Sequence, residues 1–425
     1  NHNWIITGGQ FAPGCILPDD WFVTVWDITK PTDRTNDNPA STIAFPCIGS
    51  GYTLYWEDVD NPTPPGKHGT VTVTTSPYYL AVPSGTTKVR IKAHKGKGTL
   101  STILHDVGGV DPKRLIAVEQ WGTTKWTTFD RAFYGCENMD VTASDKPDLS
   151  ACQNLSRMFF SCRSLANANG SISGWQTQNI TNMERTFLRT TAFNKPLNNW
   201  NTSEVTNMNG MFQESEFNQS LDNWNTSKVT NMGSMFYGNT AFNQPLNSWD
   251  VSKVTDMNNM FGRATSFNQD ISSWNTGKVT DMWNMFLFAT AFNQPLDNWN
   301  TAEVTNMINM FYGATAFNQP LNSWNTAKVT NMSSMFNIAT SFNQPLNSWN
   351  TAKVTNMSYM FSGATSFNQR LDSFKINDIT AMESMFSNCG MSCENLSTTL
   401  DSWATQATAL GKNNVNLGQI GYYNE

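Results

Sequence analysis

Three carboxylates lie close together in the chain, at Glu57, Asp58 and Asp60. A pair of such groups can act as acid and base in the hydrolysis of a glycosidic bond. The flanking residues indicate a turn, and the sequence contains no H-E-x-x-H, G-x-S-x-G or P-loop motif. With four histidines and no C-x-x-C, neither zinc nor another metal or cofactor is expected. We therefore predict a non-catalytic protein, with a glycan-acting enzyme as the second of two alternatives.

The seven cysteines avoid the central part of the chain and lie towards its two ends. Disulfides there would stabilise terminal elements and would indicate an oxidising compartment. The pairs that we expect are Cys15–Cys47 and Cys389–Cys393, and an odd thiol must remain. The alternative is that all of them are buried free thiols. The disulfide candidates are Cys15, Cys47, Cys136, Cys162, Cys389 and Cys393.

A column of amide side chains recurs along the chain at regular spacing. It alternates with residues predicted to be buried, so we expect it to face outward. Such a field of amides could bind a glycan or a protein, and the alternative is a solvated strand face. The predicted binding residues are Asn201, Asn225, Asp250, Asn275, Asn300, Asn325 and Asn350.

A repeat of 25 residues, clearest over residues 193–369, must position these amides. Tryptophan recurs at fixed steps and so does a Met-Phe pair, which is typical of a solenoid of stacked coils. The segment 246–251 has the L-x-x-L-x-L pattern of a parallel strand, with 243–246 as the alternative register. The segment 254–261 has the spacing of a helix or 3-10 turn. The Met and Trp columns are predicted to form the core, and a second Asn column is predicted to stack as an amide ladder.

Four regions follow from this pattern. Residues 1–17 form an N-terminal arm or first strand, and residues 18–112 form an antiparallel β-sandwich of about seven short strands. Residues 113–386 form the solenoid, with a parallel sheet and about 11 coils, and residues 387–425 form a C-terminal cap. The predicted fold class is therefore mixed β with short helices. The arm contains strand-like residues that could pair with another copy of the chain, namely Trp4, Ile5, Ile6 and Thr7.

Composition excludes some partners. Charged residues make up 14% of the chain and the net charge is −6, without a Lys/Arg cluster, so nucleic acid is not an expected partner. No run of 18 apolar residues occurs, so no membrane span is expected. The chain begins at Asn1, which suggests a removed signal peptide or a trimmed sequence.

The repeat, seen in F-N-Q-P-L-N-S-W-D-V-S-K-V-T-D-M-N-N-M-F at 242–261, resembles the BspA-like leucine-rich repeat of Bacteroidetes surface proteins. The resemblance covers residues 113–425 and includes F-Y-G-C at 133–136 and L-D-S-W-A at 400–404. Residues 22–93 are similar to a PKD-like, Ig-type domain, although Tyr55–Asp60 replaces the usual W-G-D-G turn. The resemblance implies a secreted or surface-displayed protein used for adhesion or protein contact.

From these observations we expect an extracellular or bacterial cell-surface binding protein whose solenoid presents an extended face to proteins or glycans. The first alternative is a structural subunit that polymerises into an extracellular filament, with copies of itself as partners. Head-to-tail contacts that do not close produce filaments.

Overall fold

The computed structural model describes residues 20–32, 41–61, 67–105 and 110–411. The described chain is mostly β, with one α-helix, α1 (Cys393–Ala409), near its C-terminal end. The predicted arm, Trp4–Thr7 included, and residues 412–425 lie outside the described residues. The strands are β1 (Phe22–Asp27), β2 (Thr42–Phe45), β3 (Cys47–Ser50), β4 (Tyr52–Asp58), β5 (His68–Val73), β6 (Tyr78–Ala81), β7 (Lys88–His94), β8 (Thr99–Ile103), β9 (Leu115–Gln120) and β10 (Asp140–Val141).

The largest sheet is mixed and has six strands in the order β10-β9-β1-β7-β4-β5. All pairs of neighbouring strands in this sheet are antiparallel except β10 and β9, which run parallel. Two smaller antiparallel pairs, β2 with β6 and β3 with β8, contribute to the same hydrophobic core. The large sheet therefore contains strands from both sides of the predicted boundary at residue 112, and the domain limits stay a prediction.

Four of these strands, β1, β4, β5 and β7, have alternating apolar and polar residues, a pattern typical of β-strands. The alternation has a physical cause in β7, where Val89 and Ile91 are buried and Arg90 between them forms ion pairs on the other face. Strands β2, β3 and β6 have only four residues each, which is too short for a period of two to be distinctive.

The repeats contact one another through backbone hydrogen bonds. A series of parallel bridges, one repeat apart, runs from Asn154 through Asp256 to Ala381. Within one repeat, alternate N–H groups donate to carbonyls of the next repeat, as from Met257 to Asp281 (3.3 Å) and from Asn259 to Trp283 (2.7 Å). We call residues 256–263, which carry these donors, and the equivalent residues of the other repeats the ladder segment. Its backbone groups are satisfied by the neighbouring repeat, as buried peptide groups must be.

The predicted strand position within the repeat was wrong, and of the two predictions for the segment 254–261 the 3-10 turn is the one that agrees with the structure. The inter-repeat bridge lies at Asp256, and residues 247–248 of the predicted strand form a turn. Residues 258–263 form tight turns, in which the N–H of Met260 donates to the carbonyl of Met257 at 3.2 Å. The 3-4 spacing of apolar residues arises because the ladder segment turns tightly. Asn259 has a φ of 55°, in the left-handed region, which interrupts a helix and directs alternate N–H groups to the next repeat.

The predicted aromatic and Met columns do form the core. Met257, Met260 and Phe261 are fully buried. Equivalent rings of successive repeats stack, with 5.8 Å between the centroids of Phe261 and Phe286. The Trp column is held by hydrogen bonds as well, since the Trp349 indole donates to the Leu321 carbonyl at 2.9 Å. Burial of an aromatic ring in every repeat gives each one a large apolar contact with its neighbour.

The second Asn column stacks in register, as predicted, but its bonds differ from an amide ladder. The Oδ1 atom of Asn293 accepts one hydrogen bond from the backbone N–H of Asn318 (2.9 Å) and another from Nε2 of Gln319 (3.0 Å). The same pair of bonds recurs at Asn268 and Asn318. Each Asn therefore satisfies a backbone donor of the following repeat.

Both ends of the repeat region are covered. Helix α1 packs on the last repeat through Leu396, Thr399 and Trp403, which are buried. At the other end Phe22 of β1 contacts the rings of Trp121 and Trp126, with centroids 5.8 and 5.1 Å away. Terminal repeats need such caps because their outer faces would otherwise expose the core. Among the described residues no helix is long and apolar enough to cross a membrane.

Candidate ligand-binding face

The clustered carboxylates of the N-terminal region each have a structural partner. Glu57 lies 3.0 Å from both Arg90 and Lys92. Asp58 is fully buried and accepts a hydrogen bond from the Thr86 hydroxyl at 2.9 Å. Asp60 accepts from Thr87. Each of the three acids therefore has a hydrogen-bonding or ion-pair partner, and the described residues hold no group of three His, Cys, Asp or Glu side chains placed for a metal.

In the part of the chain that the structure describes, the predicted disulfide between Cys389 and Cys393 is not formed. Cys389 and Cys393 are free thiols, as are Cys47, Cys136 and Cys162, and Cys15 lies outside the described residues. Cys393 opens helix α1 and is exposed. Burial raises the pKa of the Cys47, Cys136 and Cys162 thiols, with the neighbouring Cys162 adding to the effect on Cys136.

The predicted binding column is exposed, and it also shapes the backbone. The Oδ1 atom of Asn300 accepts from the N–H of Ala302 (3.1 Å), and Asp250 accepts likewise from Ser252 (2.9 Å). Hydrogen bonds from Ser252 keep the pKa of Asp250 below its ordinary value. This side-chain closure of a turn recurs throughout the column. The exposed members are Asn201, Asn225, Asp250, Asn275, Asn300, Asn325 and Asn350.

A different surface carries the residues that change from repeat to repeat. It consists of the two adjacent positions that follow the Met-Phe pair, and we call it the variable face. All members of the second position have a φ between 51° and 68°. The first position holds Gln213, Tyr237, Gly262, Leu287, Tyr312, Asn337 and Ser362, of which Gly262 and Leu287 are buried. The second holds Glu214, Gly238, Arg263, Phe288, Gly313, Ile338 and Gly363.

Large side chains on the variable face alternate with glycines of the following repeat. The ring of Phe288 lies over Gly313, where an added Cβ would be 2.3 Å from the ring carbon Cδ1. Tyr237 lies over Gly262 in the same way, with Cδ2 2.9 Å from such a Cβ. Each glycine therefore gives space to the side chain before it, and a glycine that stays partly exposed leaves a depression where its own side chain would be.

One such depression, at Gly238, is part of an open groove of about 690 Å³. A volume in this range is typical of small-ligand sites, which span roughly 300–1,000 Å³. The groove combines aromatic rings, hydroxyl groups and two charges of opposite sign. It is lined by Glu214, Tyr237, Gly238, Thr240, Arg263, Thr265 and Phe288.

The two charged residues of the groove differ in their partners. Glu214 is neutralised by Arg189, whose Nε lies 2.7 Å from the Glu214 carboxylate. Arg263 is exposed, and among the described residues it forms no ion pair. Its guanidinium carbon lies 5.9 Å from the ring centre of Phe288, a cation–π contact that does not use the N–H donors.

The variable face was not predicted from sequence, because the predictions followed the positions that repeat. Those positions build the core, the ladder and the turns, so their side chains are already used. The available signal was variation, because a position that changes from repeat to repeat is not required for the core, the ladder or the turns. Ile338, 41% exposed, shows that one such position keeps a large apolar group at the surface.

The ladder and the aromatic columns show that the described part of the chain is mostly β and contains a repeated unit of about 25 residues. Three successive stretches, residues 127–226, 213–319 and 294–403, match the model of a family described as Mycoplasma protein of unknown function, DUF285. Together they cover more than half of the chain, which therefore belongs to this family. No curated protein and no solved structure matched the chain.

Proposed function

We propose that this protein is a non-catalytic binding protein whose variable face is its ligand-binding surface. The observation that carries the proposal is the contrast between two surfaces of one repeat. The uniform Asn column closes turns, whereas the variable face places different side chains on the same backbone position and contains the groove at Gly238. Binding residues are commonly placed on a rigid scaffold in this way.

The proposal includes a fold and a location. We infer a leucine-rich-repeat-type solenoid of BspA-like kind, preceded by a PKD/Ig-like sandwich. The parallel bridges and the neighbour-to-neighbour stacking of rings support the solenoid. Display outside the cell, on a bacterial surface, agrees with an exterior made polar by amides and hydroxyls, which is less sensitive to salt than one made of ions.

The filament alternative has less support. Stacking of bare ends between copies is disfavoured because Phe22 and helix α1 cover the two ends of the repeat region. Light scattering of the native protein distinguishes the two proposals. A particle of 47.5 kDa supports the binding protein, and a long rod supports the filament.

The binding proposal is tested with two matched triple variants. The first carries Tyr237→Ala, Arg263→Ala and Ile338→Ala on the variable face. The second carries Asn275→Ala, Asn300→Ala and Asn325→Ala on the uniform column. Fluorescent protein is added to host cells and to arrays of matrix proteins and glycans, after thermal melting has shown both variants to be folded. Loss of binding in the first variant alone supports the variable face, and loss in the second alone moves the site to the Asn column.

A further inference from the structure

We propose that the groove at Gly238 binds a uronate-type sugar, with Arg263 holding the carboxylate and the neighbouring rings and hydroxyls holding the sugar ring. This inference rests on the proposed binding function and specifies the ligand. Three properties of the groove support this inference. Its one positive charge without an ion-pair partner is that of Arg263, its lining combines aromatic rings with hydroxyl groups, and its backbone N–H groups already donate hydrogen bonds within the described protein.

The charge of the groove selects an anion. Glu214 is already paired with Arg189, so the net charge that a ligand meets comes from Arg263. The planar guanidinium donates two parallel hydrogen bonds to a carboxylate, a geometry that lysine cannot supply. A carboxylate-bearing ligand is therefore preferred over a neutral or cationic one.

The remaining lining suits a sugar ring attached to that carboxylate. A pyranose has apolar C–H faces, which pack on aromatic rings, and a rim of hydroxyls, which need hydrogen-bonding partners. Tyr237 and Phe288 provide rings on the two sides of Arg263 along the column, and Thr240 and Thr265 provide hydroxyls. In a uronate the carboxylate is bonded to the sugar ring itself, so one residue of the ligand can contact both Arg263 and the other groups that line the groove.

The backbone of the groove argues against an extended acidic peptide. Such a peptide gains much of its affinity by pairing with free main-chain groups. Here the N–H of Glu214 donates to Tyr237, that of Gly238 to Gly262 and that of Arg263 to Leu287, at 2.7, 2.7 and 2.5 Å. These donors are occupied, so the ligand is bound by side chains.

The experiment measures calorimetric binding of tetragalacturonate to the full chain. Its methyl ester and a tetraglutamate peptide serve as comparison ligands. The protein variants are Arg263→Ala, Arg263→Lys and, as a matched loss of one positive charge outside the groove, Lys278→Ala. We expect tetragalacturonate to bind and Arg263→Ala to weaken it roughly ten- to a hundredfold, because a charge-assisted pair is lost. Arg263→Lys should recover part of the affinity, and Lys278→Ala should leave it unchanged.

Four results would overturn the inference: no binding of tetragalacturonate, equal binding by Arg263→Ala, equal binding of the methyl ester, or preferential Arg263-dependent binding of tetraglutamate. The last result would identify an acidic peptide as the ligand. If tetragalacturonate does not bind but the variable-face triple variant loses its binding to cells, only the assignment of the ligand as a uronate is wrong. If that triple variant also binds normally, the proposed function falls with it.

Discussion

Trp403 of helix α1 donates its indole N–H to the carbonyl of Leu371 at 3.1 Å. Trp349 makes the same bond to Leu321 at 2.9 Å, although one residue belongs to a helix and the other to a repeat. The ring of Trp403 also stacks on Phe386, with centroids 5.9 Å apart. The helix thus supplies the last member of the Trp column and ends the stack without exposing it.

Replacing Trp403 by alanine should therefore loosen the C-terminal end of the stack. We expect a loss of about 3–5 kcal/mol in unfolding free energy, the usual cost of removing a buried aromatic ring. Trp403→Phe should lose much less, because Phe374 already occupies an equivalent place in the column. Chemical denaturation measures the change, and hydrogen exchange shows whether it is confined to the last repeats. Trp283→Ala is the control, since Trp283 is exposed, and an equal loss there would contradict the capping role.

Gly313→Ala should destabilise the variable face for two separable reasons. Gly313 has a φ of 68°, at which alanine costs about 1–2 kcal/mol. The new methyl group would also meet the Phe288 ring at 2.3 Å. A double-mutant cycle with Phe288→Ala measures the second part, because the smaller side chain removes the clash and leaves the backbone cost. Strict additivity of the two changes in denaturation free energy would show that the ring does not depend on this glycine.

Asp281→Asn should stabilise the protein at neutral pH. Burial and the neighbouring Asp256 raise the pKa of Asp281 above its ordinary value. The ionised carboxylate therefore costs stability in the folded state, and this cost grows as pH rises from the ordinary Asp pKa of about 3.9 through the raised one. Asn231 and Asn306 occupy the same column. Melting temperatures should show a gain for the variant at pH 7 that disappears in acid.

Asp270→Asn is the control, and its expected effect on stability at pH 7 has the opposite sign. Hydrogen bonds from Ser272, whose backbone N–H lies 2.9 Å from Asp270 Oδ1, lower the pKa of Asp270. Its ionised form stabilises the folded state above the ordinary pKa, and this contribution is lost as pH falls through the lowered pKa. The variant should thus lose stability at pH 7. If both Asn variants shift the melting temperature in the same direction, the assigned causes are wrong.

The free thiols of the structure can be tested by alkylation without reductant. Cys393 is exposed and should react in the native protein, whereas Cys136 and Cys162 should react only after unfolding, because burial raises the pKa of each thiol and blocks access. Mass spectrometry of peptides identifies the labelled sites. A disulfide between Cys389 and Cys393 would leave both unlabelled even in denaturant, and would restore the pairing expected from sequence.

The core of this protein was predictable because it is periodic. A Met or Phe that recurs every 25 residues, such as Met257 and Phe261, can be assigned to a buried column without knowing the backbone path. The path itself was not predictable. The left-handed conformation of Asn259 depends on hydrogen bonds to the next repeat, which a pattern within one repeat does not contain. The same apolar spacing therefore suggested a helix.

The candidate site was hidden for a related reason. Arg263 is unremarkable in sequence, and its importance comes from Gly238 before it and Phe288 after it in the column. These residues are a repeat apart, so their contact follows only from the register of the stack. The uniform Asn column was conspicuous instead, and its exposure was correctly predicted.

The hydrogen bonds of the ladder segment give the stack of repeats a net dipole moment along its axis. In each middle repeat, N–H groups such as those of Met257, Asn259, Phe261 and Arg263 point to the following repeat, and the carbonyls that accept them point back. Peptide dipoles aligned head to tail add together, as they do along an α-helix. Here the positive end faces helix α1 and the negative end faces β9 and β10. Anionic groups are thus favoured near the C-terminal end of the stack, and the two ends are not electrically equivalent.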